Sequence, residues 1–260
     1  MPALKIGIEL ASLRLPFRKA LVAAARLGAS GVEIDARGEL KPQALSQTGM
    51  RELRRLFEEV ELRVVAVTFQ TRRGYDVADE IDRRVAATKT AMRFAAELRA
   101  PVVVNQVGQV PGEDETERWQ VLTGALADLG RFSQHVGVRL AARTGSESAA
   151  DLARLLAALP EGSTGVDLDP AALVINGFSP LEAVALLGSN ILHVHARDGV
   201  RDRARRTGLE VALGRGTADF PALLGALEEQ QYRGYFTIAR HDTADPQAEI
   251  AAAVEYLRSL

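Results

Sequence analysis

The chain has 260 residues, 47% of them hydrophobic and 25% charged, ordinary for a globular fold and within the length an α/β barrel reaches as one domain. Its 32 basic and 34 acidic side chains leave a formal charge of −2, which argues against a general nucleic-acid binder but leaves room for a local basic patch. Cysteine is absent, which excludes disulfides, thiolate metal sites and a cysteine nucleophile.

The first residues, MPALKIGIELAS, hold too short an apolar run for a signal peptide and lack a small-residue cleavage site. No stretch approaches the ~20 uninterrupted apolar residues of a membrane helix, so no membrane partner and a cytoplasmic location are expected. Short β-rich runs follow at KIGIELA (5–11), GVEIDA (31–36), LRVVAVTF (62–69), PVVVNQVG (101–108), VRLAART (138–144), TGVDLD (164–169), ILHVHARD (191–198) and GYFTIAR (234–240). Each is rich in Val, Ile or Leu and short enough for a strand buried on both faces. The segments between them carry helical spacing, as in Leu53, Leu56, Phe57 and Val60, or Phe220, Leu223, Leu224 and Leu227 behind an N-cap at Asp219. Eightfold strand–helix alternation predicts a single-domain (β/α)8 TIM barrel over residues 1–260. A doubly wound open sheet would usually carry a glycine-rich loop after its first strand, and LASLRLP (10–16) has none.

In a barrel, chemistry gathers where strands end. That rim would hold Glu33, Asp35, Arg37, Gln70, Asn105, Gln106, Arg143, Asp167, Asp169, His193, His195, Asp198 and Arg240. Strand side chains alternate, so Glu33 and Asp35 share a face, as do Asp167 and Asp169, and His193 and His195. Facing inward, they would bring carboxylates and imidazoles to one mouth. Facing outward, the same groups would be capped or hydrogen-bonded against the helices.

The stretches GVEID (31–35), VDLDPAALVINGFSP (166–180), ILHVHARD (191–198), LGRGTADF (213–220) and YRGYFTIAR (232–240) resemble the xylose isomerase-like TIM-barrel family. That family includes sugar phosphate isomerases and epimerases, D-tagatose 3-epimerase and its relatives, and endonuclease IV-type enzymes. TRRGYD (71–76) and VVVNQVG (102–108) further resemble a bacterial subgroup of it. The resemblance implies a divalent ion, often manganese, held by a glutamate, an aspartate, a histidine and a second glutamate, with the glutamates moving a proton beside a carbonyl. The aspartate matches Asp169 and the histidine matches His195, but the glutamates match Arg143 and Ala239. A further family histidine matches Ala172, and a substrate-holding arginine matches Arg201.

These departures add three positive charges to the family site, about what the missing ion would supply. A guanidinium about 4 Å from a divalent cation costs on the order of 8 kcal/mol at an effective dielectric near 20, so no metal is expected there. Arg143 is expected to take the ion's place, paired with Asp169. The reading is then a sugar or sugar phosphate isomerase/epimerase-type protein with a degenerate metal site that keeps a carbohydrate pocket. Glu33, Asp169, His195 and Arg143 are its catalytic candidates, and His193, Arg201 and Gln106 its substrate contacts. The alternative is a non-catalytic sugar-binding or regulatory barrel. A multi-metal endonuclease is set aside, because of four histidines only two fall on a suspected site strand. Partners would be a small carbohydrate or sugar phosphate, with a homo-oligomer compatible and no nucleic acid.

Three weaker features complete the chain. Gly214-Arg215-Gly216 could offer amides to a phosphate or form a tight connection. Arg72 and Arg73 could hold an acidic ligand or lie in solvent. His135 and His241 show no partner in the sequence pattern.

Overall fold

The computed structural model describes residues 4–38, 40–202, 204–205 and 207–260. Strands and helices follow one another as β1 (Lys5–Glu9), α1 (Phe17–Arg26), β2 (Gly31–Asp35), α2 (Gln47–Glu59), β3 (Arg63–Thr68), α3 (Ile81–Glu97), β4 (Val102–Asn105) and α4 (Thr116–Val136). The second half continues with β5 (Arg139–Arg143), α5 (Ala149–Ala157), β6 (Thr164–Leu168), α6 (Pro170–Asn176), α7 (Pro180–Leu187) and β7 (Ile191–Ala196). It ends with β8 (Asp198–Asp202), β9 (Thr207–Val211), α8 (Phe220–Glu229), β10 (Tyr235–Ile238) and α9 (Pro246–Ser259). Eight parallel strands close in the order β1-β10-β7-β6-β5-β4-β3-β2, so all eight expected strands lie in one barrel.

Local chemistry explains why the chain switches where it does. Helices start behind oxygen-bearing caps: Ser46 Oγ accepts from Gly49 N (3.1 Å), Ser148 Oγ from Asp151 N (3.1 Å), and Asp219 Oδ1 from Ala222 N (3.2 Å). Pro170, Pro180 and Pro246 open their helices at the position where a missing N–H costs nothing. Apolar faces such as Met50, Leu53 and Phe57 of α2 then bury against the strands. Inside the barrel, Ala66, Val102, Val104 and Ala141 form a small dry layer. Above it, towards the strand ends, the filling turns polar.

The β8–β9 hairpin lies outside the eight strands that the sequence pattern predicts. It pairs antiparallel from Asp198↔Val211 to Asp202↔Thr207 and lies on α6. A Cβ on Gly208 would sit 2.6 Å from Ile175 Cα, so only glycine lets the two backbones meet. Among the described residues no single helix is long and apolar enough to cross a membrane.

Candidate functional site

Parallel register sets charged side chains beside one another on neighbouring strands. Glu9 lies beside Glu33, Arg143 beside Asp167, and Asp167 beside His193; His195 lies beside Thr237. Alternation then carries Glu33, Arg143, Asp167, His193 and His195 into the barrel, and all five are buried. Ala239, two residues beyond inward-facing Thr237, points the same way and offers only a methyl group.

His195 is the hub. Its Nδ1 lies 2.8 Å from Asp167 Oδ1 and its Nε2 3.0 Å from Glu33 Oε2. Burial and Arg143 oppose a charge on this ring, but Asp167 and Glu33 outweigh them and raise its pKa to about 10. Arg143 Nε is 3.0 Å from Asp167 Oδ2 and 3.8 Å from Asp169 Oδ2. Its Nη2 comes within 3.1 and 2.5 Å of the two His195 nitrogens, with the surrounding carboxylates opposing its charge. Burial opposes the charge on Asp167, yet the histidines and Arg143 hold its carboxyl well below the usual range. Glu33 and Asp169 are lowered likewise, against burial, by His195 and by Arg197 respectively.

The expected pairing of Arg143 with Asp169 is therefore only the longer of two contacts, with Asp167 nearer. Asp169 is taken by Arg197 Nη1 at 2.6 Å and caps α6 through Ala172 N at 3.0 Å. From Arg197 the ion pairs run on to Glu210 (3.0 Å), from Glu210 to Arg240 (3.0 Å), and from Arg240 to Glu249 (2.6 Å). Glu210 also accepts from the amides of His241 and Asp242, at 3.0 and 2.8 Å. The hairpin is thus fastened across the mouth. Beside Ala239, a void of about 10 Å³ lies between β7, β10 and α9. Two hollows of about 540 and 620 Å³ open on the opposite, N-terminal face, the first reaching up to His193.

The remaining candidates fall elsewhere. His193 lies below His195, with Nδ1 2.8 Å from Asp167 Oδ1 and Nε2 2.8 Å from Thr237 Oγ1, so both nitrogens are engaged. Arg201 Nη1 donates to Ile175 O (2.6 Å) at the end of α6, outside the cluster. Gln106 and Gln70 are exposed on the rim, and Asp35 turns back to accept from Arg37 N (2.8 Å). Asn105 is buried and donates to the Tyr75 hydroxyl at 2.8 Å. The amides of the Gly214–Gly216 turn are spoken for: Gly214 N, Gly216 N and Ala218 N donate to Asp198 at 3.1, 2.8 and 3.1 Å. A Cβ on Gly216 would lie 2.1 Å from Asp198 Oδ1, which is why glycine stands there.

Sequence reasoning missed Glu9, Arg197, Glu210 and Glu147. Glu9 ends an apolar strand as Glu33 nearly does, and its Oε2 meets His241 Nε2 at 2.7 Å; that charged strand end was the available signal. Glu147, in the loop after β5, is buried with Oε1 unpartnered. Burial pushes its pKa up to about 7, against the hydrogen bond from Ser146 and with a push from Asp151.

Among the described residues, Glu33, His193 and His195 bring donor atoms within 4.8 Å of one another, as a metal would need. The set does not fit an ion. Both His193 nitrogens are occupied, and the Arg143 guanidinium stands against His195 where a cation would have to sit.

The family model described as xylose isomerase-like TIM barrel matches residues 21–260. The chain belongs to the xylose isomerase-like TIM-barrel family. Within it, an inosose dehydratase of Clostridium botulinum (strain Alaska E43 / Type E3) is 23% identical, covering 92% of this chain and 86% of that protein. A xylose isomerase domain protein from Planctomyces limnophilus superposes with a TM-score of 0.88 at 23% identity, over 99% of this chain and 97% of its own. A D-tagatose 3-epimerase-like protein follows with 0.79 at 20%, over 98% of each chain. The structural likenesses establish the barrel, and the family rests on the model match over residues 21–260.

Proposed function

We propose that this family member binds a small polyhydroxylated carbonyl compound and does not carry out metal-dependent isomerisation, epimerisation or dehydration. The observation that carries the reading is Arg143, whose guanidinium lies among Asp167, Asp169 and His195 at the strand end where the family resemblance implies a metal-holding glutamate. Family chemistry needs two bases, one to remove a proton and one to return it. Ala239 cannot act as a base, and Arg143, held protonated by the carboxylates around it, does not become one. General bases contribute ~10²- to 10⁴-fold each, so losing both removes most of the rate. The names of the relatives, inosose dehydratase and a D-tagatose 3-epimerase-like protein, support sugars and cyclic polyols as the ligand class.

A second reading has one observation in its favour. Glu33 Oε2 is buried without a well-aligned hydrogen bond, so Glu33 could serve as a base with Arg143 stabilising an enolate. Its depressed pKa makes it a weak base and favours the first reading. Metal content and turnover decide between them. Purified protein should carry no stoichiometric manganese and should turn over neither D-tagatose nor inosose, while polyols raise its melting temperature. The double variant Arg143→Glu with Ala239→Glu should gain manganese binding. Robust, chelator-sensitive turnover by the wild-type protein would overturn the proposal, and chelator-insensitive turnover lost in Glu33→Gln would establish the second reading.

A further inference from the structure

The C-terminal rim carries another concavity, between the ends of β2 and β3 and the start of α3, with a volume of about 660 Å³. That is the size of a metabolite site. None of the central ion-pair residues lines it. Among the described residues its walls hold Arg37, Lys41, Arg72, Arg73, Arg83 and Arg84 with two acids, Asp79 and Glu80.

Both acids are already used. Arg73 pairs with Asp79 at 2.6 Å and Arg83 with Glu80 at 2.9 Å. Four cationic side chains remain in surplus, on a chain whose formal charge is −2. Lys41 and Arg72 are exposed and have no acidic partner among the described residues. Arg84 is held in place by donating to the carbonyls of Val77 and Asp79, while its Nε is buried without a partner. Arg37 is anchored on Gln70 O and lies 5.7 Å over the Phe69 ring. Arg83 and Arg84 also stand in the first turn of α3, where the helix dipole disfavours cations. Among the described residues, like charges are gathered here in excess of the acids that line the cleft.

We propose that this cleft binds a small molecule bearing at least two phosphate groups, at a site separate from the barrel centre. Five of the six cations are arginines, whose planar forks match phosphate oxygens two at a time. Several are fixed by backbone carbonyls before any ligand arrives, which lowers the ordering cost of binding. The proposal goes beyond the reading of the centre and holds whether or not that centre turns over a sugar.

Calorimetric titration of the full chain with inorganic pyrophosphate, orthophosphate and citrate tests it. Pyrophosphate should bind one to one, more tightly than either other anion, and more weakly as salt is added. The double variant Lys41→Glu with Arg72→Glu should lose at least about tenfold in affinity, and Lys41→Ala with Arg72→Ala should lose less. Arg63→Glu, on the opposite face, should bind as the wild type does. Both target residues are exposed and unpaired, so an unchanged melting temperature is expected in each variant. Orthophosphate or citrate binding as tightly as pyrophosphate, no binding at all, or equal affinity in the neutral and wild-type proteins would overturn the proposal.

Discussion

Two arginine-bearing regions share the C-terminal rim, and they use the same side chain in opposite ways. At the centre, Arg143 is buried, the Arg197 side chain is 11% exposed, and every charge meets its opposite: Glu33, Asp167 and Asp169 against His195, Arg143 and Arg197. At the β2–β3 edge, Arg72 and Lys41 are exposed and outnumber the available acids. A buried charge without a partner is too costly to keep, whereas an exposed one is tolerated because water and salt screen it. The centre is therefore complete in itself, and the edge is complete only with an anion. In this chain the strand ends where the family resemblance implies a metal carry a connected set of ion pairs.

The largest effect should come from breaking the centre. Arg143→Met leaves buried carboxylates without their cation and should cost about 3–5 kcal/mol in urea denaturation, with a fall in melting temperature of roughly 10 °C. Arg143→Lys should recover only part of this, since an ammonium cannot reproduce the guanidinium fork. A loss as small as that of a surface variant would mean that the ion pairs are not what holds the mouth.

Glu147 sharpens the contrast, as a buried carboxyl that no cation neutralises. In the unfolded chain it ionises near the ordinary glutamate value, and in the folded chain only near pH 7. Its folded pKa is raised, so its contribution is fully present below about pH 4.5 and is lost as the pH rises through 7. The loss should be about 3 kcal/mol. Glu147→Gln should flatten that limb of the stability–pH curve, and an unchanged curve would refute the assignment.

Glu210→Gln weakens the fastening of the hairpin by removing a charge from two arginines and two amides. A cost of about 1–3 kcal/mol is expected, with amide hydrogen exchange accelerated chiefly in residues 198–211. Uniform acceleration over the whole barrel would show that the hairpin opens only with global unfolding. Smallest of all, Arg72→Ala should shift stability by no more than about 0.5 kcal/mol. A larger loss would reveal a structural partner and weaken the case for the edge as a ligand site.

The alternation of Val/Ile/Leu runs with amphipathic segments determined the barrel, because a strand buried on both faces and a helix buried on one leave different periods in the sequence. The placing of Glu33, Arg143 and His195 at strand ends and the Asp219 cap were legible for the same reason: each depends on strand ends or local spacing. The β8–β9 hairpin was not, because its strands lie on the surface and are half-exposed, with glycines chosen by the approach of α6 rather than by any period. Partners were not legible either. Whether Arg143 meets Asp167 or Asp169 depends on the register between β5 and β6 and on Arg197 reaching Asp169 first. Glu9 finds His241, and Glu210 bridges Arg197 and Arg240, across more than two hundred and some thirty residues respectively. The sequence by itself determined which groups share a strand face. Only the closed barrel decided which of them touch, because charge pairing is a property of distances that no local pattern encodes.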